Sequence, residues 1–325
     1  MQQVKFKEYY IQSLKYKDID PHIWMMNYLC DRLELNENQV IWLCFLFGVT
    51  YNLPTAYLIL NEYPDLEFLD IRRFEKWWKE VQMRCPYQTD KIKQRKFTPE
   101  TIFSYQQLIG REGQFNFFKR LLNSNDPCEN FNKLWECIKN IRHFGRFSNW
   151  NFAQALKQVA LMNIDADDIL LGNADSMSFT HGLCYAFGRP EWVVKNKLRG
   201  EDGKIYKGYY RFTEKDKEYL NSELLKIKNE LINEGYPVDN FLLETVACAY
   251  KKIFRERDSR YVGYYLDRQG EDIVKLEQNG WNGVDWSILR QARDELLDSN
   301  MIHYKVNKEF FKGGLLLKLK SYNYE

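Results

Sequence analysis

Residues 131–168 read FNKLWECIKN IRHFGRFSNW NFAQALKQVA LMNIDADD, and their pattern sets the fold class. Apolar residues recur at helical spacing over 131–141, which predicts one helix. The tight turn 142–146, Arg-His-Phe-Gly-Arg, follows. A second helix is expected to open at Ser148, whose hydroxyl can accept from an unpaired backbone N–H, and to run to about Leu161. The aspartate-rich run 165–168 comes next. Two helices around a short glycine-containing turn leave no room for a strand.

The same helix signals recur on both sides of this hairpin. Asp20 before Pro21 supplies a cap acceptor and a proline suited to the first helical turn. Asn36 with Gln39 three residues on reads as a capping box for a helix through Phe47, which Gly48 is expected to end. Pro54-Thr55, Thr98-Pro99-Glu100 and Asp126-Pro127 open further helices. Thr213 with Asp216 opens a long charged one that Gly235 closes. Helices are also expected over 238–254, 260–278 and 285–297. Strand signals are confined to 204–212 and 315–319. The expected fold is all-α with minor short strands. It is expected to comprise a helical body, 1–200, and a C-terminal helical lobe, 201–325, packed as one unit. The charged, glycine-rich run 195–207 is the compositional seam between them.

The chain has 325 residues, enough to bury a full core. Aromatic residues make up 16% of it, yet its apolar runs are short and broken by charges. None approaches the ~20 residues of a membrane span, and 1–10 lacks the apolar core of a signal peptide. A cytoplasmic protein without membrane contact is expected. The seven cysteines include no Cys-x-x-Cys pair, and the four histidines do not cluster with them, so neither disulfides nor a metal site is expected. GEDGK at 200–204 lacks the Walker spacing, and no dinucleotide fingerprint occurs, so no nucleotide cofactor is indicated. Net charge is only +2. A nucleic-acid partner therefore has to be sought in local basic runs, KIKQRK at 91–96 and KKIFRERDSR at 251–260.

Three further segments carry residues suited to chemistry. The polar loop 172–182 contains Asp175 and ends on His181, which can exchange a proton near neutral pH. Glu244 interrupts the apolar helix FLLETVACAY, where an isolated carboxylate would be costly. In 260–268, Arg260, Tyr264, Asp267 and Arg268 fall three and four apart, a helical face able to grip a diphosphate or to form an ion-pair ladder.

The hairpin at 131–168 resembles the helix-hairpin-helix of base-excision DNA glycosylases. In that family a glycine turn offers backbone N–H groups to a phosphate, and an aspartate about twenty residues later enters the base pocket. Gly145 and Asp165 have that separation, although His143-Phe144-Gly145 stands where the family has Gly-x-Gly. Over about 20–298 the chain resembles phage amino acid:DNA transferases, also called alpha-glutamyl/putrescinyl thymine pyrophosphorylases. The matching phrases are LNENQVIWLCFLFGVTYNLPT (35–55), NEYPD (61–65), FGRFS (144–148), HGLCY (181–185) and RYVGYYLDR (260–268).

That resemblance implies replacement of the pyrophosphate on pyrophosphorylated 5-hydroxymethyluracil in DNA by the amine of an amino acid or polyamine, of the glycine, glutamate or putrescine class. It implies a phage protein working in the host cytoplasm. The target carbon lies on a stacked base, so flipping or an exposed strand is required. Asp165, Asp175, His181 and Glu244 are the candidates to accept the amine proton. Gly145, Arg146, Ser148, Trp150, Arg260, Tyr264 and Arg268 are the candidates to hold DNA and diphosphate. Two other readings stand beside this one, a glycosylase on the same scaffold and a non-catalytic helical DNA-binding protein.

Overall fold

The computed structural model describes residues 6–88, 91–169, 177–193, 196–199, 205–208, 210, 212–254, 263–281 and 283–296. In chain order the helices are α1 Phe6–Lys15, α2 Pro21–Arg32, α3 Glu37–Thr50, α4 Leu53–Glu62, α5 Ile71–Val81, α6 Thr98–Ile109, α7 Gln114–Leu121, α8 Pro127–Ile138, α9 Arg146–Gln158 and α10 Met177–Ala186. The strands β1 Asn196–Arg199 and β2 Ile205–Gly208 follow, then α11 Glu214–Asn233, α12 Asn240–Tyr250, α13 Tyr264–Gln278 and α14 Ser287–Asp294. The fold is all-α, and among the described residues β1 and β2 pair antiparallel. No helix among the described residues is long and apolar enough to cross a membrane.

Local chemistry explains most of the helix starts. Asn36 and Gln39 form the expected capping box on α3, and Thr213 and Asp216 form one on α11. Asp126 accepts from the Cys128 N–H ahead of Pro127 and so starts α8. Four expectations are corrected. Gly48 does not end α3, which runs on to Thr50 with Tyr51 as its left-handed cap. A Cβ on Gly48 would lie 3.0 Å from Phe144 Cζ and 3.0 Å from Phe152 Cβ, so this glycine lets α9 approach α3. Ser148 does not open α9, which starts two residues earlier with Gly145 as its cap. Asp20 makes no cap bond, because its carboxylate is directed elsewhere. Of the strand expected over 204–212 the described residues show Ile205–Gly208, with Tyr210 and Phe212 outside it, and its partner Asn196–Arg199 was not foreseen. Residues 315–319 lie outside the described part.

The contacts divide into two compact units. One gathers the described residues of 20–167 and 265–296. Its centre is α3, buried from Ile41 to Thr50 and packed against α4, α7 and α9. Phe45 stacks on Tyr105 at 3.6 Å and meets Phe144 and Phe152 at 5.0 and 5.5 Å. Burying each such ring is worth about 1.5–3 kcal/mol. The other unit gathers the described residues of 6–19 and 168–264. There α10 and α12 pack most closely, because a Cβ on Gly182 would sit 1.8 Å from the Ala247 carbonyl oxygen. Tyr250 receives Phe6 and Tyr9 edge-on at 5.3 and 5.4 Å, joining α1 to α12.

Candidate functional site

Helix α9 is where the first unit departs from ordinary core chemistry. A globular helix normally buries one apolar stripe and exposes the rest. In α9 every residue from Ser148 to Leu156 is buried, and Ser148, Asn149, Asn151 and Gln154 are among them. Buried polar groups need partners. The buried Lys91 ammonium donates to Ser148 Oγ and, at 3.2 Å, to the Gly48 carbonyl. Asn151 donates to the Phe147 carbonyl at 2.8 Å, and Gln154 donates to Asp20 Oδ2 at 2.6 Å.

Asp20 extends this network. Its other carboxylate oxygen lies 3.2 Å from His22 Nε2, and both side chains are buried. The His22 ring packs on Phe47 at 4.6 Å and Tyr51 at 5.1 Å, and Tyr51 in turn meets Phe147 at 4.8 Å. Asp20 and Tyr51 both hold left-handed backbone, φ 47° and 46°, which side-chain-bearing residues adopt at a cost. Next to Tyr51, Asn52 caps α4 and donates to Asp272 Oδ2 at 2.8 Å. Burial pushes the Asp272 carboxyl above its ordinary range, against the pull of Arg268 and Lys275. Buried polar groups thus cluster along α9, around Asp20 and His22, and at the α3–α4 junction where Asn52 reaches Asp272 of α13.

The candidates from the sequence separate as follows. Gly145 faces open space, and its backbone is extended rather than left-handed. The left-handed position of the turn is His143, φ 57°. Arg146 is buried, with its guanidinium 5.3 Å from the Trp150 ring centre. Trp150 is 0% exposed and meets Phe131 edge-on, so it serves the core and is not placed to stack on a base. Ser148 is likewise enclosed, tied to Lys91 instead of facing a phosphate. Asp165 is ion-paired with Lys157 at 2.9 Å and takes its own loop's Ala166 N–H. Arg268 is engaged along α13 with Glu271 at 3.3 Å and Asp272 at 3.4 Å. Asp175 and Arg260 lie outside the described residues, and α13 starts at Tyr264 rather than at 260.

In the second unit, His181 on α10 and Glu244 on α12 are both buried, on two helices that pack against each other. Burial, helped by the Lys251 charge, pushes His181 down to about 4, so its imidazole is neutral near pH 7. Thr180 and Thr245 are buried beside them in sequence, and Ser178 Oγ lies 3.1 Å from Cys248 Sγ.

Thiol chemistry is not favoured by these surroundings. Burial pushes Cys30, Cys85 and Cys184 up to about 12, and Asp167 does the same for Cys128. Among the described residues no group of three or more His, Cys, Asp and Glu side chains is placed to hold a metal ion.

The model of the amino acid:DNA transferase family matches residues 5–258. The chain belongs to this family. It is similar to the serinyltransferase of Salmonella phage ViI, at 26% identity over 310 residues, 90% of this chain and 73% of that protein. In this amino acid:DNA transferase the matched region takes in both α9 with its polar partners and the α10–α12 pair. Sequence reasoning named His181 and Glu244 but missed Asp20, His22, Asn52, Lys91 and Gln154. The one sequence signal for them was the density of Asn, Gln and Ser in a helix otherwise rich in aromatic and small apolar residues.

Proposed function

We propose that this transferase joins an amino acid, serine being the first candidate, to pyrophosphorylated 5-hydroxymethyluracil in DNA. Membership of the family supports transfer of an amino acid onto DNA. The likeness to a phage serinyltransferase over nine-tenths of the chain carries the choice of donor. In this reaction the amine lone pair attacks the exocyclic methylene carbon, and the carbon–oxygen bond to the diphosphate breaks. The diphosphate leaves with the bonding electrons, and the new ammonium gives its proton to a base.

Four groups are candidates for that base: Asp165, Asp175, His181 and Glu244. His181 is neutral at working pH and so has a free nitrogen lone pair, although burial makes that nitrogen a weaker base than an ordinary imidazole. Arg146, Arg260 and Arg268, with Tyr264, are candidates to stabilise the departing diphosphate. The open face at Gly145 offers the α8–α9 turn to the DNA backbone, and the base is reached by flipping or in an exposed strand.

The test is nucleoside mass spectrometry after incubating the protein with DNA containing pyrophosphorylated 5-hydroxymethyluracil and a mixture of serine, glycine, glutamate and putrescine. A serine adduct on the modified base is the expected product. An adduct of another amine would move the donor assignment. Release of free base without an adduct would replace transfer by glycosylase chemistry.

A further inference from the structure

The geometry points to a second DNA-contacting element: the exposed cations of the basic module formed by α5 and the segment that follows it, residues 71–97 with the buried Lys91 excepted, which bind the DNA phosphate backbone without regard to sequence. This deepens the reading of the chain as an enzyme that acts on DNA, and it rests on that reading.

Charge distribution is the first observation. Residues 71–96 hold nine Lys or Arg against three Asp or Glu, a surplus of six, whereas the whole chain has 47 against 45. The remaining residues therefore carry four more acids than bases, so the chain's positive charge is concentrated here. Pairing is the second. Several surface cations elsewhere meet carboxylates, as Lys7 does Glu230, Lys133 Glu129, Lys139 Glu136, Lys226 Glu223 and Arg290 Glu277. Within 71–97, Arg72, Arg73, Lys76, Lys79, Arg84, Lys93, Arg95 and Lys96 form no ion pair among the described residues. No carboxylate among the described residues offsets these charges, so a polyanion can do so.

The fold presents these charges on a firm base. Helix α5 buries Phe74, Trp78 and Val81, which places Arg72, Lys76 and Lys79 at four- and three-residue steps along its exposed side. The Trp78 indole N–H donates to the Arg95 carbonyl at 2.9 Å, and Arg95 donates to the Cys85 carbonyl at 3.3 Å. These bonds hold the short helix Ile92–Phe97 against the end of α5, with Lys93 and Lys96 exposed. Phe97 stacks on the His143 ring at 4.1 Å, which joins this module to the α8–α9 turn and its exposed Arg142. Met83 and Ile92 are also exposed, 75% and 48%, and supply apolar contact for bases beside the cations. The module therefore has the makings of an electrostatic track: unpaired cations, a rigid backing and interspersed apolar groups.

The test measures affinity for a fluorescent DNA oligonucleotide across a salt series. It compares the wild-type chain with R72Q/K76Q/K79Q, with K93Q/K96Q, and with a control of equal charge loss elsewhere, K15Q/K119Q/K215Q. Each neutralised phosphate contact removes about 0.9 from the slope of log affinity against log salt, so the α5 triple variant is expected to lose about 2.7. At about 0.1 M salt its affinity should fall at least tenfold, with the control within twofold of wild type. Equal slopes for wild type and both module variants, with wild type still modifying DNA, would overturn the module alone. A wild-type chain that neither binds nor modifies DNA would overturn the DNA reading as well. Circular dichroism on the same samples separates lost binding from lost folding.

Discussion

Helices α9 and α5 belong to the same unit and both carry many polar residues, yet they hold them in opposite ways. In α9 the polar side chains are buried and three of them have fixed partners: Lys91 for Ser148, Asp20 for Gln154, the Phe147 carbonyl for Asn151. In α5 and the residues after it Arg72, Arg73, Lys76, Lys79, Arg84, Lys93 and Lys96 are exposed and form no ion pair among the described residues. Burial with fixed partners makes position matter, because any shift leaves a polar group unsatisfied. Exposure without partners makes only the sum of charge matter. An enzyme that transfers an amino acid onto DNA has both to engage a long polyanion and to hold one reaction in place, and the two arrangements suit those two tasks. The α10–α12 pair, with His181 kept neutral by burial, belongs with α9 in this contrast.

Substitutions can sharpen or break the distinction. The largest effect is expected for Gly48→Val, which drives a branched side chain into Phe144, Phe152 and the Ser148 carbonyl. Denaturant unfolding should show a loss of about 3 kcal/mol. A loss below 1 kcal/mol would mean that α3 and α9 are not packed this closely.

An effect of similar size is expected from pH. His181 is held near 4 in the folded chain against an ordinary value of 6.5, so the folded state refuses a proton that the unfolded state accepts. Its contribution is fully present above about pH 6.5 and is lost as pH falls from there towards 4, up to roughly 3 kcal/mol over that window. His181→Gln should flatten this acid limb in a series of thermal melts. An unchanged limb would show that His181 titrates normally.

Lys91→Met comes next, at about 2 kcal/mol, because it strands the Ser148 hydroxyl and the Gly48 carbonyl in the interior. Ser148→Ala made on top of it should cost less than Ser148→Ala alone, since the partner is already gone. Additive losses would argue that the two groups do not share a bond. The smallest change in stability is expected for R72Q/K76Q/K79Q, within about 0.5 kcal/mol of wild type. That indifference, beside the loss of DNA affinity, is what distinguishes α5 from α9.

Helix starts were legible in the sequence because caps are local. Asn36 with Gln39 and Thr213 with Asp216 act within four residues, and the structure keeps both boxes. Errors arose where a distant partner outbid the local role. Gly48 reads as a terminator until α9 is seen to pass against it, and Ser148 reads as a cap until Lys91, 57 positions earlier, claims its hydroxyl. The site shows the same division. His181 and Glu244 stood out as ionisable groups on apolar helices. Asp20 and Gln154 are 134 positions apart, and Asn52 and Asp272 are 220 apart, so no spacing rule could pair them. The hairpin turn was legible as a turn, but its left-handed residue, His143, was hidden by the more obvious Gly145.

The most direct measurement follows isotopically labelled serine into DNA. The wild-type chain is incubated with pyrophosphorylated 5-hydroxymethyluracil DNA and labelled serine, and the enzymatically released nucleosides are resolved by mass. A labelled thymidine derivative joined through nitrogen to the 5-methylene, formed in step with pyrophosphate release, is the expected result. Label that stays entirely outside the DNA, with every other amine equally inert on the same substrate, would contradict it.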